Sequence, residues 1–436
     1  MQPSPVLGER PIGKRLRIHA RISVILLCAT AFALPVWGRL LPWLIGLFLL
    51  NWIISGVYLR TAQLLLRERL RFRTLGFSLV YLAYIAGLIH TRNTAYATED
   101  LVLKLSLLIF PLTFATSLFP VPSRTLRKIL AGWFLAGCVA GSLMLLTRAA
   151  WQTWALHQAG AFYYTALSWH FHTSYFSLYL VFAIAILLRT LLVPDRAGES
   201  MHFMPRLAML LLFTWMIVLL SSKSGLLTLA TTIVLFTVVL WLKQHAWKTA
   251  VGFISLSTAT LVILMILFPG ATGRLAQARQ EVSGENKAAK EARSTGDRMM
   301  VWKASARVIS GHWLTGVGTG DVKDALLEQY RSDHLDQVLK LKLNAHNQYI
   351  QTLVALGVPG LLLLAAMFLL PWLRSLGMHD WVYFSFLTMT AISFLFESML
   401  ETQAGVVFYA LFNAVLFSTG EEDPARDPVQ VALRQG

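Results

Sequence analysis

Cysteine is nearly missing from this chain: Cys28 and Cys138 are the only two among 436 residues, and each sits inside an apolar run. A disulfide framework and a thiolate metal site are both excluded. Acidic residues are scarce as well, 22 Asp and Glu against 38 Lys and Arg, a formal charge of +16. No Walker motif is present, and the two halves show no internal repeat of the kind found in many twelve-span transporters. Long polar stretches are wanting too, with one exception at about 269–347.

What remains is apolar. Hydrophobic residues make up 56% of the chain and mean hydropathy is +0.59, so the bilayer is the solvent of this protein. The runs predict an all-α, polytopic integral membrane protein with about twelve transmembrane helices, near 22–37, 40–59, 74–91, 101–119, 129–149, 173–192, 206–221, 225–242, 249–268, 348–373, 381–398 and 404–419. The first run follows Arg10, Lys14, Arg15, Arg17 and Arg21 as a signal peptide would, but a second run begins at once with no small-x-small cleavage site between them. It is expected to be a retained first helix.

Most of the Lys and Arg fall in short connections that twelve spans and a cytoplasmic N-terminus place inside. The basic balance thus reports orientation and contact with anionic membrane lipids, and nucleic acid is not an expected partner. Arg60, Arg67, Arg69, Arg71 and Arg73, interleaved with leucines, read either as a basic amphipathic helix on the inner leaflet or as a plain topology signal.

The expected organisation is helices one to nine in 1–268, one large helical loop on the outer side in 269–347, helices ten to twelve in 348–419, and a polar tail in 420–436. Within the loop, Arg274 to Arg293 suits a solvated helix, and Val301, Ala304 and Val308 stripe a second. Gly316, Gly318 and Gly320 form a turn ahead of Asp321, expected to cap a third helix bearing Val322, Ala325, Leu326 and Tyr330.

Charge inside hydrocarbon costs about 2.5–3.5 kcal/mol per residue on insertion scales, so each instance calls for a reason. Lys104 stands about one turn into the fourth span; Arg92, Arg148 and Lys223 end spans or occupy turns on the same outer side; Glu397 and Glu401 lie at the same depth. Snorkelling explains any one of them. Together, four cations against the inside-positive trend suggest a site for an anion such as the diphosphate of a lipid carrier, with the glutamates balancing them. Arg298, at the start of the helix bearing Trp302, can pair with Asp297 or offer its fork to phosphate. Trp151, Trp154, Phe162, Tyr163, Tyr164, Trp169 and Phe171 crowd one outer connection, followed by His172 and Tyr175. They read as an aromatic belt, a minority of them suited to stacking on sugar rings.

The most specific pattern is His346-Asn347, nine residues, then Gly357-Val-Pro-Gly360, where the polar loop runs into an apolar helix. An imidazole at a water–lipid boundary suits general-base work on a hydroxyl. The pattern resembles the H-[NSQ]-x9-G-x-x-[GTY] signature of the O-antigen ligase and polymerase superfamily. The order of parts is similar to that of the lipopolysaccharide O-antigen ligases: about twelve spans, one late outer loop, an arginine early in it and a histidine at its end. Lys104 and its segment and Ser398 to Gly405 are also ligase-like, whereas Lys223 stands where the family usually has arginine. The charge survives there but the two-pronged guanidinium does not.

That resemblance implies a GT-C-like helical architecture with neither nucleotide nor metal as cofactor. It implies transfer of an O-antigen glycan from undecaprenyl diphosphate to the outer-core sugar of lipid A–core, at the periplasmic face of the bacterial inner membrane; the Lys and Arg distribution over twelve spans makes both termini cytoplasmic in expectation. His346 would be the base; Arg298, Lys223, Lys104, Arg148 and Arg92 would hold diphosphate. Asn347, Glu397, Glu401, His172 and Tyr175 would support the acceptor. Asn347 reads equally as a helix cap, and Glu397 or Glu401 stands as a rival base. An O-antigen polymerase or a protein O-oligosaccharyltransferase shares the donor chemistry, and a transporter or flippase is the remote alternative. The sequence sets no oligomeric state.

Overall fold

In a computed structural model, residues 13–268 and 294–418 are described, apart from 60, 62–72, 118, 159, 193–202 and 245–246. Arg60, Arg67, Arg69 and Arg71 of the basic stretch, the helix expected over Arg274 to Arg293 and the tail after 418 lie outside the described residues. The described chain is helical and contains no strand. Nine helices among the described residues are long and apolar enough to cross a membrane: Lys14–Ala33, Gly38–Ser55, Arg73–His90, Ser123–Leu156, Thr173–Leu192, Phe203–Leu220, Lys223–Leu242, Trp247–Leu267 and Gln348–Gly377. Trp381–Phe396 and Gln403–Ser418 are shorter apolar helices. The chain is thus an all-α polytopic membrane protein.

The fourth expected span departs from a single rod. It divides at Leu105 into Thr94–Lys104 and Ser106–Thr116. Asn93 caps the first piece by accepting from the Tyr96 N–H at 3.1 Å. The division leaves Lys104 at the break, where a charge meets protein instead of lipid tails.

Thr173–Leu192 is the axle of the array: 78% of its apolar window is buried inside the protein, against 6% for Trp247–Leu267. The first is therefore held by neighbouring helices, whereas the second turns most of its apolar surface outward. Rings of Phe134, Tyr179, Phe182, Phe386, Phe408 and Phe412 interlock around the axle with centroids 4.8–6.4 Å apart. These separations suit edge-to-face and tilted ring contacts. Where two backbones must close up, small residues make room. A Cβ added to Gly141 would stand 2.1 Å from the Pro35 carbonyl oxygen, and one on Gly137 2.5 Å from that of Phe32. Gly137-x3-Gly141 is therefore the seam between Lys14–Ala33 and Ser123–Leu156.

One end of the array is locked by Arg127 and Asp380, whose guanidinium and carboxylate meet prong to prong at 2.5 and 2.6 Å. Burial resists ionisation of Asp380, but the Arg127 charge outweighs it and holds the carboxyl below its ordinary range. The opposite end carries the polar segment: Ser294–His312, Val322–Ser332 and Asp336–Leu341. Val301, Ala304, Val308, Val322, Leu326 and Tyr330 bury there as the apolar stripes require. Asp321 does not cap its own helix. Its carboxylate accepts from the backbone N–H groups of Arg92 and Asn93 at 2.8–3.1 Å, tying the segment to the end of the third span.

The glycine-rich turn ties it further. Gly357 has φ +61° and breaks the Gln348–Gly377 helix. Backbone groups at the break are satisfied by the turn: Val317 N donates to Val354 O at 2.9 Å, Gly318 N to Ala355 O at 3.0 Å, and Val358 N to Trp313 O at 2.9 Å. A Cβ on Gly357 would lie 2.4 Å from the Leu314 carbonyl oxygen. Nine helical residues, about 14 Å, thus separate the Asn347 cap from the break, which explains the spacing of the motif.

Candidate functional site

Asn347 ends the polar segment in extended conformation, and its side-chain oxygen accepts from the N–H groups of Tyr349 and Ile350 at 2.9 and 3.1 Å. Its other amide atom donates to the Leu395 carbonyl at 3.2 Å, so it joins two helices as well as capping one. His346, just before it, adopts φ +45°, a left-handed conformation that costs a non-glycine residue about 1–3 kcal/mol. The Ala345 carbonyl beside it accepts from Trp302 Nε1 at 2.9 Å. Gln348 reaches back to the following link, accepting from Leu400 N at 2.7 Å.

That link, between Trp381–Phe396 and Gln403–Ser418, carries Glu397, around which the site is organised. Its Oε1 lies 3.1 Å from Arg298 and accepts from the Ser174 hydroxyl at 3.0 Å; its Oε2 faces His346 Nδ1 at 3.5 Å. Ser222 donates to Ser174 at 3.4 Å, which brings the turn bearing Lys223 to the same place. Lys223 itself is exposed. Burial opposes the Glu397 charge, yet the hydrogen bond to His346 and the positive fields of His172 and Arg298 prevail and lower its pKa. His172 is pushed the other way: crowding by protein and the nearby His346 and Arg298 lower its pKa against the pull of Glu397.

The sequence-level set therefore separates into groups. Arg298, His346, Glu397, Asn347, His172 and the Lys223 turn converge. Lys104 goes elsewhere: its ammonium is wholly buried, pairs with Asp100 and, at 2.9 Å, with Glu401, and lies 4.7 Å from the Tyr84 ring centroid. Glu401 is thus the partner of Lys104 and not of His346. Tyr175 is buried beside His172, their rings 5.3 Å apart. Arg148 donates to the Ala166 carbonyl at 2.9 Å and lies over the Trp169 ring at 5.0 Å. Arg92 is exposed, its backbone N–H held by Asp321.

Ser174, Ser222 and Asp100 escaped the sequence reading. The hydroxyls carry no charge signal to find them by. Asp100 stood four residues before Lys104, a spacing that places two side chains on one helix face. Among the described residues, no group of three or more His, Cys, Asp or Glu is arranged to hold a metal ion.

No curated protein matches the chain. A family model does: residues 207–365, a little over a third of the length, match that of the O-antigen ligase family. The matched stretch holds Lys223, Arg298, His346, Asn347 and Gly357 and stops before Glu397. Over those residues the chain is similar to the O-antigen ligase family, which supports a place in the O-antigen ligase and polymerase superfamily without distinguishing lipopolysaccharide ligases from their relatives.

Proposed function

We propose that this protein is an O-antigen ligase, moving a glycan from undecaprenyl diphosphate to the outer-core sugar of lipid A–core. The reaction would occur at the periplasmic face of the inner membrane. The observation that carries the reading is the single Glu397 carboxylate shared by Arg298 and His346. If His346 Nδ1–H donates to Glu397, Nε2 keeps its lone pair and can take a proton. The acceptor hydroxyl gives that proton to Nε2 as its oxygen bonds to the anomeric carbon. The anomeric C–O bond to diphosphate breaks on the opposite face, its electron pair leaves with the diphosphate, and the configuration inverts.

A diphosphate leaves readily once its charge is held, so cations serve where a general acid would otherwise be needed. Arg298 is anchored by Glu397 through one nitrogen and retains further N–H donors for phosphate oxygens. Lys223 adds an exposed charge on the neighbouring turn. As a base, Glu397 is poorly suited: three partners hold its anionic form. Glu401 is committed to Lys104.

The test is ligation of intact lipid-linked donor to lipid A–core by His346→Ala, Glu397→Gln and Glu401→Gln. His346→Ala is expected to lose turnover by 10²–10⁴-fold, the range of a general base. Turnover retained in that variant would exclude the histidine. Gene deletion separates ligase from polymerase: a ligase mutant accumulates lipid-linked polymer and bare core, a polymerase mutant leaves single-repeat caps.

A further inference from the structure

Beside the Glu397 cluster, at the same end of the array, stands a second group of side chains that the transfer step does not use. The Trp169 ring meets Trp37 at 5.8 Å, and Trp37 meets His170 at 4.9 Å. Arg148 lies over Trp169 at 5.0 Å and Arg39 near the Trp37 face at 6.0 Å. Trp169 is 47% exposed, with backbone at φ +53°, ψ −103°, strained for any residue with a side chain. The close Gly137–Gly141 seam brings the end of the first helix, and so Trp37, to this position. Among the described residues, no carboxylate forms an ion pair with Arg39 or Arg148.

Depth and distance both matter. From Lys128, the last charge at the far end of Ser123–Leu156, the helix reaches Arg148 after about 30 Å, the thickness of the hydrocarbon layer. Arg148 and Trp169 therefore lie where lipid tails end and the saccharide of a membrane-anchored glycolipid begins. Three peptide steps link Trp169 to His172, a reach of at most about 10 Å. His172 already senses Glu397, His346 and Arg298.

We propose that Trp37, Trp169, Arg39 and Arg148 form a shelf for an anionic saccharide, the sugar portion of a phosphorylated glycolipid. Indole faces cover the apolar C–H faces of sugar rings, and guanidinium groups take phosphate or carboxylate substituents. The inference rests on the glycosyl-transfer reading and deepens it: the lipid diphosphate belongs to Arg298 and Lys223, and the shelf orients sugars approaching His346 from the side.

Binding of a water-soluble phosphorylated core oligosaccharide, stripped of its lipid, tests this by calorimetry on the full chain in nanodiscs of zwitterionic lipid. Trp169→Ala should weaken binding about tenfold and Trp169→Tyr should restore most of it, a rescue that mere misfolding would not give. Arg39→Gln with Arg148→Gln should weaken binding of the phosphorylated oligosaccharide about tenfold and leave its dephosphorylated form unchanged. His346→Ala should bind normally while failing to transfer sugar. Saccharide binding by a wild type that transfers no glycan would sink the ligase reading and keep the shelf. Wild-type affinity in both shelf variants, or no affinity in the wild type, overturns the proposal. So does an effect of the variants seen only with nanodiscs of anionic lipid, which would make the group a membrane-interface belt.

Discussion

Replacing Lys104 with methionine distinguishes a buried ion-pair lock from a substrate-binding cation. Its side chain is 0% exposed, and those of Asp100 and Glu401 are 6% and 10% exposed. Methionine keeps the length of the stem but leaves two carboxylates facing each other without a counter-charge. Breaking a buried pair in this way costs about 3–5 kcal/mol. At roughly 2–4 °C per kcal/mol, melting in a fixed detergent should fall by about 10 °C. Adding Glu401→Gln to Lys104→Met removes one stranded charge and should recover part of the loss. Glu401→Gln alone should cost less than Lys104→Met, because Asp100 still pairs with the ammonium. The assay is thermal unfolding of all four forms, with donor binding measured beside it. A Lys104→Met protein of unchanged melting temperature but tenfold weaker donor affinity would refute the lock and return Lys104 to the phosphate.

Further expectations follow from the same geometry. Gly357→Ala adds a Cβ 2.4 Å from the Leu314 carbonyl oxygen at φ +61°, and should destabilise by more than about 1–3 kcal/mol, read as lowered melting temperature and folded yield. Because Glu397 has a depressed pKa, its pairing stabilises fully above its ordinary value of 4.5 and is lost as pH falls through the lower folded value. Acid-induced loss of stability below about pH 4.5 should therefore be shallower in Glu397→Gln. Arg127→Lys retains charge but cannot form both short contacts to Asp380, and should cost about 1 kcal/mol in unfolding measurements. Lys223→Arg should preserve donor affinity, whereas Lys223→Gln should weaken it several-fold in a binding assay, as loss of an exposed cation near phosphate implies.

The apolar segments were legible because the bilayer demands long runs of one chemistry and punishes exceptions. His346 and Gly357 were legible because their spacing reflects one short helix between a cap and a break. Level along the helices could be read in part: of Lys104, Arg92, Arg148, Lys223, Glu397 and Glu401, expected at one level, the structure brings Lys104 to Glu401 and the turn bearing Lys223 to Glu397. Azimuth could not, since each helix can turn about its axis without altering its hydropathy. For that reason one expected anion site separates into an Arg298–Glu397–His346 centre, a Lys104–Glu401 lock and an Arg148 shelf. The division of the fourth span at Leu105 was hidden as well, because apolar residues lie on both sides of it. Asp321 was expected to cap a helix and instead holds the Arg92–Asn93 backbone, a long-range contact that local pattern does not encode.

The glycine-rich turn at 316–320 and the broken helix at 357 share one set of backbone hydrogen bonds. Cutting out the polar segment and joining its ends would strip those bonds away and leave bare peptide groups at the break. The segment is thus a keystone of the helix it covers, and neither portion is expected to survive expression without the other.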